Sequence, residues 1–335
     1  MEEKLSKQKQ FFEKIEDIIP ASTSMVNELS DSLELSMDSA YRRLRGETAL
    51  TLDEVIILCN KYKISFDSFI NLESGHVSFN YTLMDEGLKS FADYHESLLR
   101  DLKIINSAKQ KLITYACEDI PVFHNISQGP IAKFKMFYWM KSILNAPELE
   151  GKQFDPALIP ESYIERAREI YELYCLIPSV EIWTDTTIQS TVKQIEFYWE
   201  SGMFKSPDHA IEVCASLKGE LEVVQKQAEN SSKYLAPGIP PEYENNYELY
   251  FSEIEITNNC VFVNMGETRA VYLGHLSFNT MSTSNASYCR ETEMWHENLK
   301  RKSTLISGTA VKHRYQFFRS AFKSVDELVE RIGKL

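Results

Sequence analysis

The chain has 335 residues, 43% of them hydrophobic and 25% charged, an ordinary globular composition whose length suggests two or three domains. The formal net charge is −13, which favours solubility. No run of 18 apolar residues occurs and the charged start Met1-Glu2-Glu3-Lys4 lacks an apolar stretch, so neither a helical membrane span nor a signal peptide is expected.

In chain order, residues 4–19 form an amphipathic pattern through Leu5, Phe11, Phe12, Ile15 and Ile18, ended by Pro20. Residues 24–33 place Val26, Leu29 and Leu33 at helical spacing behind a serine. Ser36 can accept a backbone N–H that a helix start leaves unpaired, and Gly46 can take the positive φ of a helix stop. These ends predict a short helix over 37–45, with Ala40 and Leu44 inward and Met37, Asp38, Ser39, Arg42 and Arg43 outward. Three of the four residues from 42 to 45 are arginines. Thr51 and Glu54 make a capping box that opens a helix with an apolar face of Leu52, Val55, Ile56, Cys59 and Tyr62. Residues 64–69 read as a last capped turn. A helix, a tight turn, an exposed basic helix and supporting helices form a helix-turn-helix unit.

Residues 22–70 resemble the DNA-binding domain of the lambda-repressor and Cro family. The resemblance is carried by Leu29-Ser30, Leu33, Leu35-Ser36, Arg42 to Gly46 and Thr51-Leu52. It implies a partner in double-stranded DNA and work as a homodimer. The residues nominated for DNA contact are Met37, Asp38, Ser39, Tyr41, Arg42, Arg43 and Arg45. Two positions depart from the family: Glu34 stands where a turn glycine is usual, and Val26 where a phosphate-contacting glutamine is frequent. Residues 1–70 carry 9 Lys and Arg against 13 Asp and Glu. The positive charge is therefore local, so modest non-specific affinity and dependence on dimerisation are expected.

Residues 71–78 read as a linker. A long helix follows at 84–105. Its seam is Met84, Leu88, Phe91, His95, Leu98, Leu102 and Ile105, a heptad spacing that can pair subunits or pack on the chain's own domain. Residues 111–117 are a strand. Residues 131–144 are a helix dense in aromatics, read as core. Helices at 161–175, 187–201 and 207–229 enclose a strand at 179–183. Pro237 to Pro241 break the chain. Strands at 248–257, 260–265 and 268–276, a helix near 289–300, a strand at 303–306 and a helix over 311–332 complete it. The fold class is multidomain: an all-α N-terminal helix-turn-helix domain (1–70), a linker and long helix suited to dimerisation (71–110), and a larger α/β domain (111–335) for sensing or assembly.

No catalytic constellation is visible in that larger domain. Walker and Rossmann glycine loops, GxSxG and HExxH are absent, and the histidines at 124, 209, 275, 296 and 313 are isolated. The order of elements is loosely similar to phospholipase-D-like α/β domains that act as sensors in some regulators. Their paired His-x-Lys motifs are absent, so no catalytic residue carries over. The six cysteines form no CxxC pair, which suits free thiols in a reducing cytoplasm rather than zinc. No catalytic residue, cofactor or metal site is assigned. Residues 277–289 hold eight Ser, Thr and Asn in thirteen and read as a solvated loop. Lys300-Arg301-Lys302 with Lys312, His313, Arg314, Arg319 and Lys323 read as a solvated basic helix face. The expectation is a cytoplasmic, sequence-specific DNA-binding transcription regulator whose C-terminal domain takes an effector (a small molecule or a protein) or assembles the dimer. The alternatives are an adaptor whose helical unit binds protein, and an enzyme of unrecognised family with an accessory DNA-binding domain.

Overall fold

Apolar residues three and four apart form helices before residue 63, and alternating ones form strands after residue 111. In the computed structural model these become two compact units, Met1–Ser78 and Phe79–Leu335. The structure describes residues 7–16, 19, 23–62, 64, 66, 76–82, 88–125, 129–235, 242–277 and 279–334. Most of the predicted turn at 64–69, most of the linker at 71–78, the break at Pro237 to Pro241 and the seam side chains Met84 and Leu88 lie outside the described residues.

The first unit holds α1 (Lys7–Glu16), α2 (Met25–Leu33), α3 (Met37–Leu44) and α4 (Leu52–Tyr62). Its core joins Phe11, Phe12 and Ile15 of α1 to Met25, Val26 and Leu29 of α2, Ala40 of α3 and Leu58 of α4. The buried side of α4 is turned slightly from the expected one. Leu58 is fully buried and Val55, Cys59 and Tyr62 pack beside it, whereas Leu52 and Ile56 are exposed. Two overlapping apolar stripes run along this helix, and packing chose the one that Leu58 anchors.

The second unit is built on one sheet. Its strands are β1 (Asn80–Tyr81), β2 (Leu112–Cys117), β3 (Ser179–Trp183), β4 (Tyr247–Phe251), β5 (Cys260–Met265), β6 (Thr268–His275), β7 (Asn279–Thr283) and β8 (Thr304–Leu305). The spatial order is β1-β7-β6-β5-β2-β3-β4-β8. β2, β3 and β4 are parallel, with Ile113 opposite Ser179 and Ser179 opposite Tyr247. The remaining pairings are antiparallel. The helices of this unit are α5 (Leu88–Ser107), α6 (Val122–Asn125), α7 (Gly129–Tyr138), α8 (Glu161–Cys175), α9 (Asp185–Glu200), α10 (Pro207–Asn230), α11 (Ala286–Lys302) and α12 (Val311–Ile332). A π-helical turn, Trp139–Ile143, continues α7.

Strand alternation divides the core in two. Ile113, Tyr115, Cys117 and Trp183 face a core shared with α5, α7, α8, α9, α10 and α12. Ala116, Val180 and Ile182 face the opposite side, where Cys289 and Leu299 of α11 pack. The aromatics Phe134, Phe137 and Trp139 are buried, as their density predicts. The polar stretch at 277–289 is a correction. Asn279–Thr283 is strand β7, paired with β6 and β1, and Asn285 caps α11 by accepting from the Ser287 and Tyr288 amides. Backbone pairing on both sides, not apolar alternation, makes this strand. Arg314 is likewise no part of a solvated face: it is buried and donates to the carbonyls of Ile306 and Gly308 at 3.0 and 2.8 Å.

Buried charge is concentrated at β3. The Glu181 carboxylate is fully buried and accepts from His124 Nε2 (2.9 Å), Trp183 Nε1 (2.9 Å), the Tyr247 hydroxyl (3.0 Å) and the Tyr174 hydroxyl. Burial works to raise this carboxyl, but His124, Tyr174 and Lys233 hold it below its ordinary range. A buried ion is tolerated only with its bonding capacity filled, and four donors fill it here. All six cysteines are free. Among the described residues no helix is long and apolar enough to cross a membrane, and no group of three metal-binding side chains converges.

Candidate nucleic-acid interface

The candidate interface is built by α2, the turn after it, and α3. Glu34 ends α2 in the left-handed region (φ 53°, ψ 43°) and its amide donates to the Ser30 carbonyl. The glycine conformation expected at this position is thus kept by a glutamate, at a cost of about 1–2 kcal/mol. Ser30 secures the turn from both sides: its carbonyl accepts the Leu35 amide at 3.0 Å, and its hydroxyl donates to the Leu35 carbonyl at 2.6 Å. Ser36 then caps α3, its side chain accepting from the Ser39 amide.

The far end of α3 closes as the sequence predicts. Gly46 has φ 77°; its amide donates to the Arg43 carbonyl, and the Glu47 amide donates to the Arg42 carbonyl. These paired bonds are the Schellman closure, which needs a residue tolerant of positive φ. Gln8 of α1 completes it. Its amide nitrogen donates to the carbonyls of Arg43 (2.8 Å) and Thr48 (2.9 Å), and its oxygen accepts the Leu50 amide (3.0 Å). Sequence reading missed Gln8, because nothing local marks a side chain that bonds some 40 residues away.

The nominated residues divide into two groups. Met37, Asp38, Tyr41, Arg42 and Arg45 lie on the exposed side of α3 or at its end, and Ser39 is half-buried beside its cap. Arg43 differs from the expected outward placement. Its Nε and Nη2 donate to both oxygens of Glu54 at 3.1 and 2.7 Å, its Nη1 donates to the Ser39 carbonyl, and both charged side chains are only 14% exposed. Position 43 follows Ala40 by three residues, so it flanks the buried side of α3 and faces the start of α4. There the Thr51–Glu54 capping box is formed, the Thr51 amide donating to Glu54 at 2.9 Å and the Glu54 amide to Thr51 Oγ1 at 3.3 Å. Burial works to raise the Glu54 carboxyl, but Arg43 and Thr51 together keep it below its ordinary range. Arg43 therefore ties α3 to α4.

Arg42 and Arg45 are placed otherwise. Arg42 pairs with Asp38 at 3.1 Å and Arg45 with Glu47 at 3.2 Å, all four side chains being more than half exposed. Exposed ion pairs hold about 0–1 kcal/mol, whereas a bidentate arginine–guanine pair discriminates by about 1–3 kcal/mol. Both guanidiniums can exchange their surface partner for a base edge or a phosphate. Behind them, Glu28 of α2 accepts from Lys61 (2.7 Å) and Tyr62 (2.8 Å) of α4, which braces the two helices that carry the turn.

Comparison with family models, curated proteins and solved structures found no match to this chain.

Proposed function

We propose that the chain is a sequence-specific DNA-binding transcription regulator of the cytoplasm, acting as a homodimer, with the second unit for sensing or assembly. The observation that carries this reading is the α2–turn–α3 arrangement. A hard-capped helix of about two turns, braced by Arg43–Glu54 and Gln8, presents Tyr41, Arg42 and Arg45 with releasable surface pairs. An exposed helix held this rigidly suits insertion into a major groove, where its side chains meet base edges. The acid excess of residues 1–70 makes a single unit a weak electrostatic binder. Two linked units on two half-sites would offset that through effective concentration.

DNA recovered from a random pool by the purified chain, followed by fluorescence anisotropy at several salt concentrations, tests the reading. Arg42→Ala is expected to weaken binding to a recovered site about tenfold and relax its preference at particular base pairs. Arg45→Ala is expected to weaken all sequences evenly and lower the salt slope by about one. If neither substitution alters binding, the DNA reading is wrong. Leu52, Ile56 and Ile57 are exposed along α4, which favours a second reading, an adaptor that binds protein. Absence of any salt-dependent DNA binding would select it.

A further inference from the structure

The apolar seam of α5 is packed inside the second unit, so a pairing of two copies needs another surface. The charge along α12 is divided in a way that supplies one. Residues 311–323 carry Lys312, Arg314, Arg319 and Lys323 and no acidic residue, whereas residues 324–330 carry Asp326, Glu327 and Glu330 and no basic one. One side of the helix is held to the core by Phe317, Phe318, Ala321, Val325, Leu328 and Ile332. The other side is an exposed stripe at helical spacing, through residues 312, 315, 319, 323, 326 and 330.

Along this stripe, between α12 and Gln225 of α10, runs a groove of about 580 Å³ whose lining includes Tyr315, Arg319, Phe322, Lys323, Asp326 and Glu330. Arg319 and Glu330 have no ion pair among the described residues. Asp326 pairs with Lys218 at 2.8 Å and Lys323 with Glu327 at 3.5 Å, all four side chains being at least 38% exposed. Such surface pairs are weak and can exchange partners. The Tyr315 ring is left 58% exposed.

Arg319 and Asp326 are seven residues apart, two turns on one face and about 10.5 Å along the axis. A two-fold axis crossing α12 midway between them, at Phe322 and Lys323, lays the helix antiparallel on a second copy of itself. Arg319 of each copy then meets Asp326 of the other, and the Tyr315 hydroxyl meets Glu330. Each contact is made twice, as a self-complementary interface requires. A parallel arrangement would set like charges together. A polyanion would suit the first half of the stripe and be repelled by the second, so the charge pattern fits a second copy and not a nucleic acid or an acidic peptide.

We propose that α12 is the surface through which two copies of this chain pair, antiparallel about a two-fold axis near Phe322. The proposal rests on the homodimer part of the DNA reading and not on DNA binding.

Light scattering and sedimentation equilibrium on the full chain, without DNA, follow the mass from about 0.05 M to about 0.5 M salt. Twice the chain mass is expected at micromolar concentration in low salt, with the dissociation constant rising at least about tenfold in high salt as the pairs are screened. Arg319→Glu and Asp326→Arg should each give a monomer, because each sets like charges against one another at both symmetric contacts. Each new side chain has an opposite charge four residues on, at Lys323 or Glu330, which supports the helix, and the thermal transition by tryptophan fluorescence should be retained. Mixed in equal amounts, the two variants should form a dimer, since the reversed positions then face each other and the other contact keeps its native pair. A role of these residues within one copy cannot produce that recovery. A monomeric unaltered chain in low salt would overturn both the homodimer reading and this surface. A dimer indifferent to salt, a dimer that persists in both variants, or two folded monomeric variants that do not associate when mixed would overturn this surface alone. The salt series needs no substituted protein, so it decides even if a variant fails to fold.

Discussion

At the scale of single residues, the arginines of α3 show how one residue type takes two roles. Arg42 and Arg45 have exposed partners, whereas Arg43 has its guanidinium fork spent on Glu54 with both groups mostly buried. The Glu54 carboxyl sits below its ordinary value of 4.5 in the folded unit. A depressed carboxyl adds stability that is complete above the unfolded value and is lost as pH falls through the folded one. Amide-exchange protection in α3 and α4 should therefore drop as pH falls below about 4.5, and Glu54→Gln should show a smaller drop with lower protection at neutral pH. An equal pH response in the variant would mean that the pair does not brace α3. Helical spacing put both Arg42 and Arg43 on the outside. Only the position of Glu54 against the flank of α3 separates them, and that depends on how two helices cross.

At the scale of elements, α5 is the instructive case. Its spacing of 4 and 3 is a true apolar seam, but the seam packs into the chain's own unit: Phe91, His95, Leu102 and Ile105 are buried, and all but His95 lie in the larger core. His95 stands among Phe91, Tyr94 and Tyr163, and neither ring nitrogen has a hydrogen-bond partner. Burial, with Arg166 nearby, lowers its pKa to about 4 from the ordinary 6.5. Between these values the folded state binds fewer protons than the unfolded one, so stability is present above 6.5 and falls as pH drops toward 4. All four tryptophans (139, 183, 199 and 295) lie in the second unit, so their fluorescence follows its melting alone. That melting temperature should fall between pH 6.5 and 4, and His95→Leu should flatten the slope while leaving the mass by light scattering unchanged. A halved mass in the variant would instead assign the seam to a subunit contact. A heptad spacing states that one side of a helix is buried; it does not state against what.

At the scale of the whole molecule, the two units have separate cores. The core of the first contains only residues up to Leu58 at its buried centre, and the cores of the second begin at Phe91. A chain of residues 79–335 should accordingly melt cooperatively, within a few degrees of the full chain by tryptophan fluorescence, and bind no DNA. DNA affinity in that piece, or loss of its cooperative transition, would contradict the division. The sequence by itself determined the helix ends, because capping is local: Ser36, Gly46, Thr51 and Glu54 act within three or four residues of one another. The extents expected for β3, α8 and α12 also agree with the structure, since their apolar periods are strong. Tertiary structure alone decided the rest. Strand β7 exists because β6 and β1 lie on either side of it, and Glu181 is tolerated because donors from four places in the chain meet it. Each of these depends on residues far apart in the chain, and a linear pattern carries no record of which distant groups will be brought together.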